Sequence, residues 1–111
     1  MNDYLMLYPV YVVNDRKSDG SGVEPLTGGR ADGTRAITVF TELLLAERCR
    51  DAWRREAQVD QLTTPDEFCR YLLAAQSVGL NWVVFDPHAV VGKSARFVPI
   101  AEILAVRGNN A

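Results

Sequence analysis

The sequence contains few of the residues that build most metal and thiol sites. Its 111 residues include 1 histidine and 2 cysteines, Cys49 and Cys69. The three lie far apart in the sequence, and the ligand spacing of a zinc site is absent. Both cysteines fall beside apolar faces of predicted helices, where a thiol is usually buried and inert. We therefore expect no metal, no cofactor and no catalytic cysteine.

Long apolar runs are also missing. No stretch approaches the ~20 apolar residues that a membrane-spanning helix requires. The first residues carry an acid, Asp3, where a secretory signal would carry a base. We expect a cytoplasmic protein that has no membrane partner and keeps its thiols reduced.

Neither sign of charge is in large excess. Lys plus Arg total 12 and Asp plus Glu total 14, for a net charge of −2, whereas a nucleic-acid binder usually carries a basic excess. Arg48, Arg54 and Arg55 are the candidates for a nucleic-acid contact. Acids interleave with them at helical spacing, as on an ordinary solvated helix face. We therefore expect no nucleic-acid partner.

The remaining composition is that of one ordinary folded domain over residues 1–111, with 48% hydrophobic and 23% charged residues. Hydrophobic periodicity predicts strands at 4–13, 23–26, 34–40, 80–85 and 95–98, and helices at 42–56, 65–78 and 100–106. This order predicts an α+β fold, because the helices are grouped rather than alternating with strands. We expect a mostly antiparallel sheet of about five strands. Two central helices and a short C-terminal helix should pack on one face of it.

Several residues mark the expected ends of these elements. Pro9 predicts that the first strand is an edge or bulges, since proline cannot donate to the ladder. Thr41 is a suitable cap for the first helix. Thr64-Pro65-Asp66-Glu67 forms a capping box for the second helix, and Gly79 is placed to end it. The predicted buried faces are Leu45, Cys49, Ala52 and Trp53 in the first helix and Phe68, Tyr71, Leu72, Ala75 and Val78 in the second.

Two glycine-containing segments resemble nucleotide-binding motifs only in part. Gly92-Lys93-Ser94 matches the end of a phosphate-binding loop, but Pro87 stands where the first glycine of that motif belongs. A strand rather than a helix follows it, so no helix N-terminus faces the phosphate. Gly20-Ser21-Gly22 leads into Pro25 and lacks the third glycine of a dinucleotide fingerprint. We expect no nucleotide site and no enzyme activity.

The favoured function is binding, most of all to another protein or to a second copy of the chain. A proline-containing edge strand and scattered aromatic residues offer a surface for such a partner. The candidate contact residues are Tyr8, Tyr11, Trp53, Asp86 and His88.

A small-molecule site or an enzyme is the alternative. Its residues would be Asp86, His88, Lys93 and Arg96, at the turn between the two late strands. Asp86 also has a simpler interpretation, in which its side chain caps the turn at Asp86-Pro87.

Three segments together resemble the N-terminal domain of the SseB-like family: Ala36–Thr41 followed by a helix with Trp53, then Gly79–Pro87, then Phe97–Leu104. The resemblance covers about Tyr8 to Leu104. Thr38 departs from it, because the family usually has proline two residues before the phenylalanine. The resemblance implies a bacterial protein with a small α+β domain and no established active site. It carries over no catalytic residue.

Overall fold

The first strand, β1 (Val10–Arg16), is the centre of the fold. In the computed structural model, which describes residues 8–16, 22–29, 32–87 and 97–109, β1 pairs antiparallel with β2 (Val23–Pro25) on one side and with β5 (Gln58–Leu62) on the other. The prediction of an edge strand was wrong. Pro9 precedes the first paired residue, so its missing N–H costs the ladder nothing.

A second sheet has the order β3-β4-β6-β7. Its strands are β3 (Thr27–Gly29), β4 (Arg35–Val39), β6 (Trp82–Phe85) and β7 (Phe97–Pro99). β4 and β6 run parallel, and the other neighbours are antiparallel. β6 is an interior strand with Val83 and Val84 both buried, which confirms the expectation from its two apolar faces.

The two sheets are joined through backbone hydrogen bonds. Tyr11 and Phe40 exchange two N–H···O bonds of 2.8 Å. Leu26, at the bend between β2 and β3, donates to Val13 O, and its own carbonyl accepts from both the amide and the hydroxyl of Thr38. Thr38 is buried at this junction, and both its amide and its hydroxyl donate hydrogen bonds. A proline at this position would have no amide to donate.

The helices are α1 (Leu43–Trp53), α2 (Pro65–Ser77) and α3 (Ile100–Asn109). The α+β class is confirmed, with seven strands rather than about five in the part of the chain that the structure describes. The sequence predicted that all three helices pack on one face of the sheet, and this was wrong. α1 covers one side of β1, and α2 and α3 cover the other.

Alternation along β1 builds a core on each side, because successive side chains of a strand point to opposite faces. Val10 and Val12 belong to the α2 side, whose buried members are Val10, Val12, Ile37, Val39, Phe68, Leu72, Ala75, Val83, Val98, Ile100 and Ile103. Val13 belongs to the α1 side, with Phe40, Ala46 and Ala57. β1 is therefore sandwiched between two apolar layers.

Thr64 caps α2 and Gly79 ends it, as predicted, but the second bond of the capping box goes to Thr63 instead of Thr64. The Thr64 hydroxyl accepts from the Glu67 amide at 3.2 Å, and the Glu67 carboxylate accepts from the amide and hydroxyl of Thr63. At the other end Gly79 has a φ of 91°, and the amides of Gly79 and Leu80 close a Schellman pair on Gln76 and Ala75.

The prediction for the start of α1 was wrong. The cap position is Glu42, with no side-chain hydrogen bond, and Thr41 bonds to Asp86 instead. Two predicted core positions were also wrong, because Ala52 and Val78 are exposed. Hydrophobic periodicity did not predict β5 (Gln58–Leu62), nor β3 (Thr27–Gly29).

Candidate functional site

An apolar cleft lies between the C-terminal half of α2 and the β2-β1-β5 sheet. We call it the α2 cleft. Its volume is about 390 Å³, within the range of small ligand sites. Its lining residues are Asn14, Val23, Pro25, Ile37, Asp60, Tyr71, Ala74, Ala75, Ser77 and Val78.

The periodicity of each element explains which residues reach the cleft. Asn14 follows Val10 and Val12 on the α2 side of β1 because strand side chains alternate. On α2, Tyr71, Ala74, Ala75 and Val78 are spaced by three or four residues and share one helix face. The small Ala74 and Ala75 leave the space that larger side chains would fill.

A chain of hydrogen bonds forms the polar part of the wall. The Tyr71 hydroxyl donates to Asn14 Oδ1 at 2.9 Å, and Asn14 Nδ2 donates to Asp60 Oδ2 at 2.8 Å. A carboxylate accepts only, so it must face the amide nitrogen of Asn14, which leaves Oδ1 to accept from Tyr71. Burial, and after it the charge of Asp60, raise the pKa of Tyr71. Tyr71 is therefore a neutral donor at physiological pH.

Two valines at the cleft are more exposed than core residues of their type. Val23 has 57% and Val78 has 70% of its surface accessible. Exposed apolar side chains beside a concave apolar surface are typical of a binding site. The sequence contained no direct sign of this, because Val78 continues the apolar stripe of α2 and was expected in the core.

The opposite side of β1 is closed by an ion-pair network. Arg54 contacts Asp15 Oδ2 at 3.1 Å and Glu24 Oε2 at 2.9 Å. Its guanidinium carbon lies 4.4 Å from the centre of the Trp53 ring, a cation–π distance. Asp51, one of the acids interleaved with the arginines of α1, pairs with its neighbour Arg50 at 3.0 Å rather than with Arg54.

The candidate aromatic residues all pack against the two cores. Tyr8 meets Phe68 edge to face with ring centres 6.5 Å apart. Tyr11 and Trp53 are half-buried, and the structure brings them together on the α1 side. None of the three lines the α2 cleft. Their role in binding stays a prediction.

Asp86 joins the ends of two parallel strands. Its carboxylate accepts from the Thr41 amide at 2.8 Å and from the Thr41 hydroxyl at 2.7 Å, while its own amide donates to Val39 O. Both carboxylate oxygens thus hold the chain that follows β4. His88, Lys93 and Arg96 lie outside the described residues, so the alternative site around them stays a prediction.

The described residues contain no group of three or more His, Cys, Asp or Glu side chains that could hold a metal ion. Cys49 is half-buried against the α1-side core, and burial raises the pKa of its thiol. A raised pKa disfavours the reactive thiolate. The structure thus places this thiol among packing residues.

No family model matches the chain, and a search of curated proteins found no match. The resemblance to the SseB-like family therefore stays a prediction. Within the described ranges, the helices are too short or too polar to cross a membrane.

Proposed function

We propose that the protein is a non-catalytic, cytoplasmic binding domain, and that the α2 cleft holds an apolar segment of another protein. The observation that carries this proposal is the cleft itself, about 390 Å³ in volume, with Val23 and Val78 exposed beside it. Covering these side chains removes apolar surface from water, at about 25 cal/mol per Å².

The contents of the cleft favour binding over catalysis. Among the residues that the structure describes, its polar side chains are Asn14, Asp60, Tyr71 and Ser77, and none of these is a histidine, a cysteine or a lysine. Tyr71 is held neutral, and its proton is committed to Asn14. A general acid or base needs a pKa near the working pH, and the raised pKa of Tyr71 moves this group further away.

The test is to select short peptides from a displayed library and to titrate them against the ¹⁵N-labelled protein. We expect peptides with aliphatic residues, and amide shifts concentrated at Asn14, Val23, Ser77 and Val78. Ala74→Trp places a bulky ring in the cleft and should abolish binding. Leu73→Trp is the matched control, because Leu73 is exposed on the same helix and does not line the cleft.

Three results would overturn the proposal. The first is failure to select any peptide. The second is equal binding by the Ala74→Trp and Leu73→Trp variants. The third is a dimer in sedimentation experiments that Ala74→Trp dissociates, since the occupant would then be a second copy of the chain.

A further inference from the structure

The polar groups of the α2 cleft present mostly hydrogen-bond acceptors. The Tyr71 proton is donated to Asn14, and the Ser77 hydroxyl donates to Ala74 O at 2.6 Å. Each hydroxyl then keeps oxygen lone pairs as acceptors, and the carboxylate of Asp60 only accepts. The second amide hydrogen of Asn14 is the exception. A ligand that matches this wall must bring donors.

Asp60 also brings a negative charge, and the described residues of the cleft include no cation that balances it. On the α1 side, Asp15 and Glu24 both pair with Arg54. On the α2 side, Asp60 has an amide partner, Asn14, and no Lys or Arg is found among the described residues that line the cleft. A cationic group in the cleft would gain both the charge and the hydrogen bonds.

Arg16 places a positive charge on the same face of β1, away from the negative charge of Asp60. It follows Asn14 on the same face of β1 and pairs across from Val23, whereas Asp60 pairs across from Val12. Four residues of strand separate the two positions, or about 13 Å. A bound cation is therefore repelled at the β2 end and attracted at the β5 end.

We propose that the partner segment carries a lysine or arginine beside its aliphatic residue, and that Asp60 binds this cation. The inference rests on the proposed function of the α2 cleft. The aliphatic side chain fills the space above Ala74 and Ala75, and the cation lies toward β5. Asn14 and Tyr71 act as positioning residues, because their hydrogen bonds hold the Asp60 carboxylate at the wall.

The experiment compares two capped peptides, acetyl-Lys-Leu-Lys-amide and acetyl-Gln-Leu-Gln-amide, titrated by NMR against the whole chain. Lysine on both sides of the leucine makes the test independent of peptide direction. We expect the lysine peptide to bind about two- to fivefold more tightly, the range for an exposed ion pair. The preference should decrease as salt is added.

Asp60→Asn should remove the preference by weakening the binding of the lysine peptide. Glu56→Gln is the matched control, because it removes one negative charge at an exposed position outside the cleft and should preserve the preference. Asp60 is exposed, so its replacement should leave the fold intact.

The outcomes separate this inference from the proposed function. Equal binding of both peptides in the cleft, or a preference that survives Asp60→Asn, overturns the inference and leaves the cleft as a binding site. If neither peptide shifts the cleft amides while a peptide from the displayed library does, the inference fails and the proposed function stands. A preference lost equally in Asp60→Asn and Glu56→Gln means attraction by net charge alone, and this also overturns the inference.

Discussion

Polar residues on the two sides of β1 have different kinds of partner. On the α1 side, Asp15 meets Arg54, which also binds Glu24 and stacks on Trp53. On the α2 side, Asn14 links Tyr71 to Asp60, and an open cleft remains above them. On the α1 side, the charged side chains pair with each other and connect α1 to β1 and β2. Among the described residues, the other side has a carboxylate, Asp60, without a cationic partner, and two exposed valines, which is why we propose that it binds a partner.

The largest effects should come from the two cores, and they test whether both sides of β1 are needed for folding. Phe40 on the α1 side and Phe68 on the α2 side are both almost fully buried. Replacing either with alanine should lower the free energy of unfolding by about 3–5 kcal/mol, measured by urea denaturation. The control is Leu44→Ala, at a 59% exposed position, with an expected change within about 0.5 kcal/mol.

If Phe40→Ala cost no more than Leu44→Ala, the α1 side would be an accessory layer rather than a second core. The comparison of the two sides would then have to be restated, with the stability of the protein residing on the α2 side alone.

Tyr71→Phe should have a smaller effect and tests the polar wall. The change removes the donor to Asn14 Oδ1, and it should cost about 1 kcal/mol at neutral pH, because Asn14 is half-buried and can recruit water. The cleft volume is kept. Urea denaturation of the wild type and the variant at pH 7 measures the difference.

The same pair of proteins should differ in its alkaline behaviour. Burial raises the pKa of Tyr71 above its ordinary value of 10.0, so the folded chain holds the proton more tightly than the unfolded chain. Above about pH 10 the unfolded state loses its proton first, and the stability of the wild type falls. The advantage over Tyr71→Phe is therefore full below pH 10 and shrinks above it. A constant difference from pH 8 to 11 would show that Tyr71 is not buried as described.

The sequence predicts α2 well because the signals for it are local. Thr64, Glu67 and Gly79 act within a few residues of the helix ends, and each makes a predicted type of contact. β6 was predicted for a similar reason, since its two apolar faces are contained in four residues.

The parts that sequence reasoning missed depend on distant partners. β5 has Val59 on one face and Leu62 on the other, too little for a periodic pattern, and it forms by pairing with β1. The α2 cleft is assembled from five elements, β1, β2, β4, β5 and α2, most of which are far apart in the sequence. No local pattern could place Asn14 beside Tyr71 or Asp60, which lie 57 and 46 residues away.

The smallest expected effect sharpens the contrast on the α1 side. Arg54 links α1 to both β1 and β2, whereas Arg50 pairs with its own neighbour, Asp51. Arg54→Ala should therefore lower the urea midpoint more than Arg50→Ala, since only Arg54 connects separate elements. The difference should shrink at high salt, because both pairs are partly exposed. Arg54→Lys should recover only part of the loss, since an ammonium lacks the planar fork that reaches two carboxylates and stacks on Trp53. Equal midpoints for Arg54→Ala and Arg50→Ala at low salt would mean that packing alone closes the α1 side. Ion pairs would then stabilise neither side of β1, and the contrast with Asp60 would lose its basis.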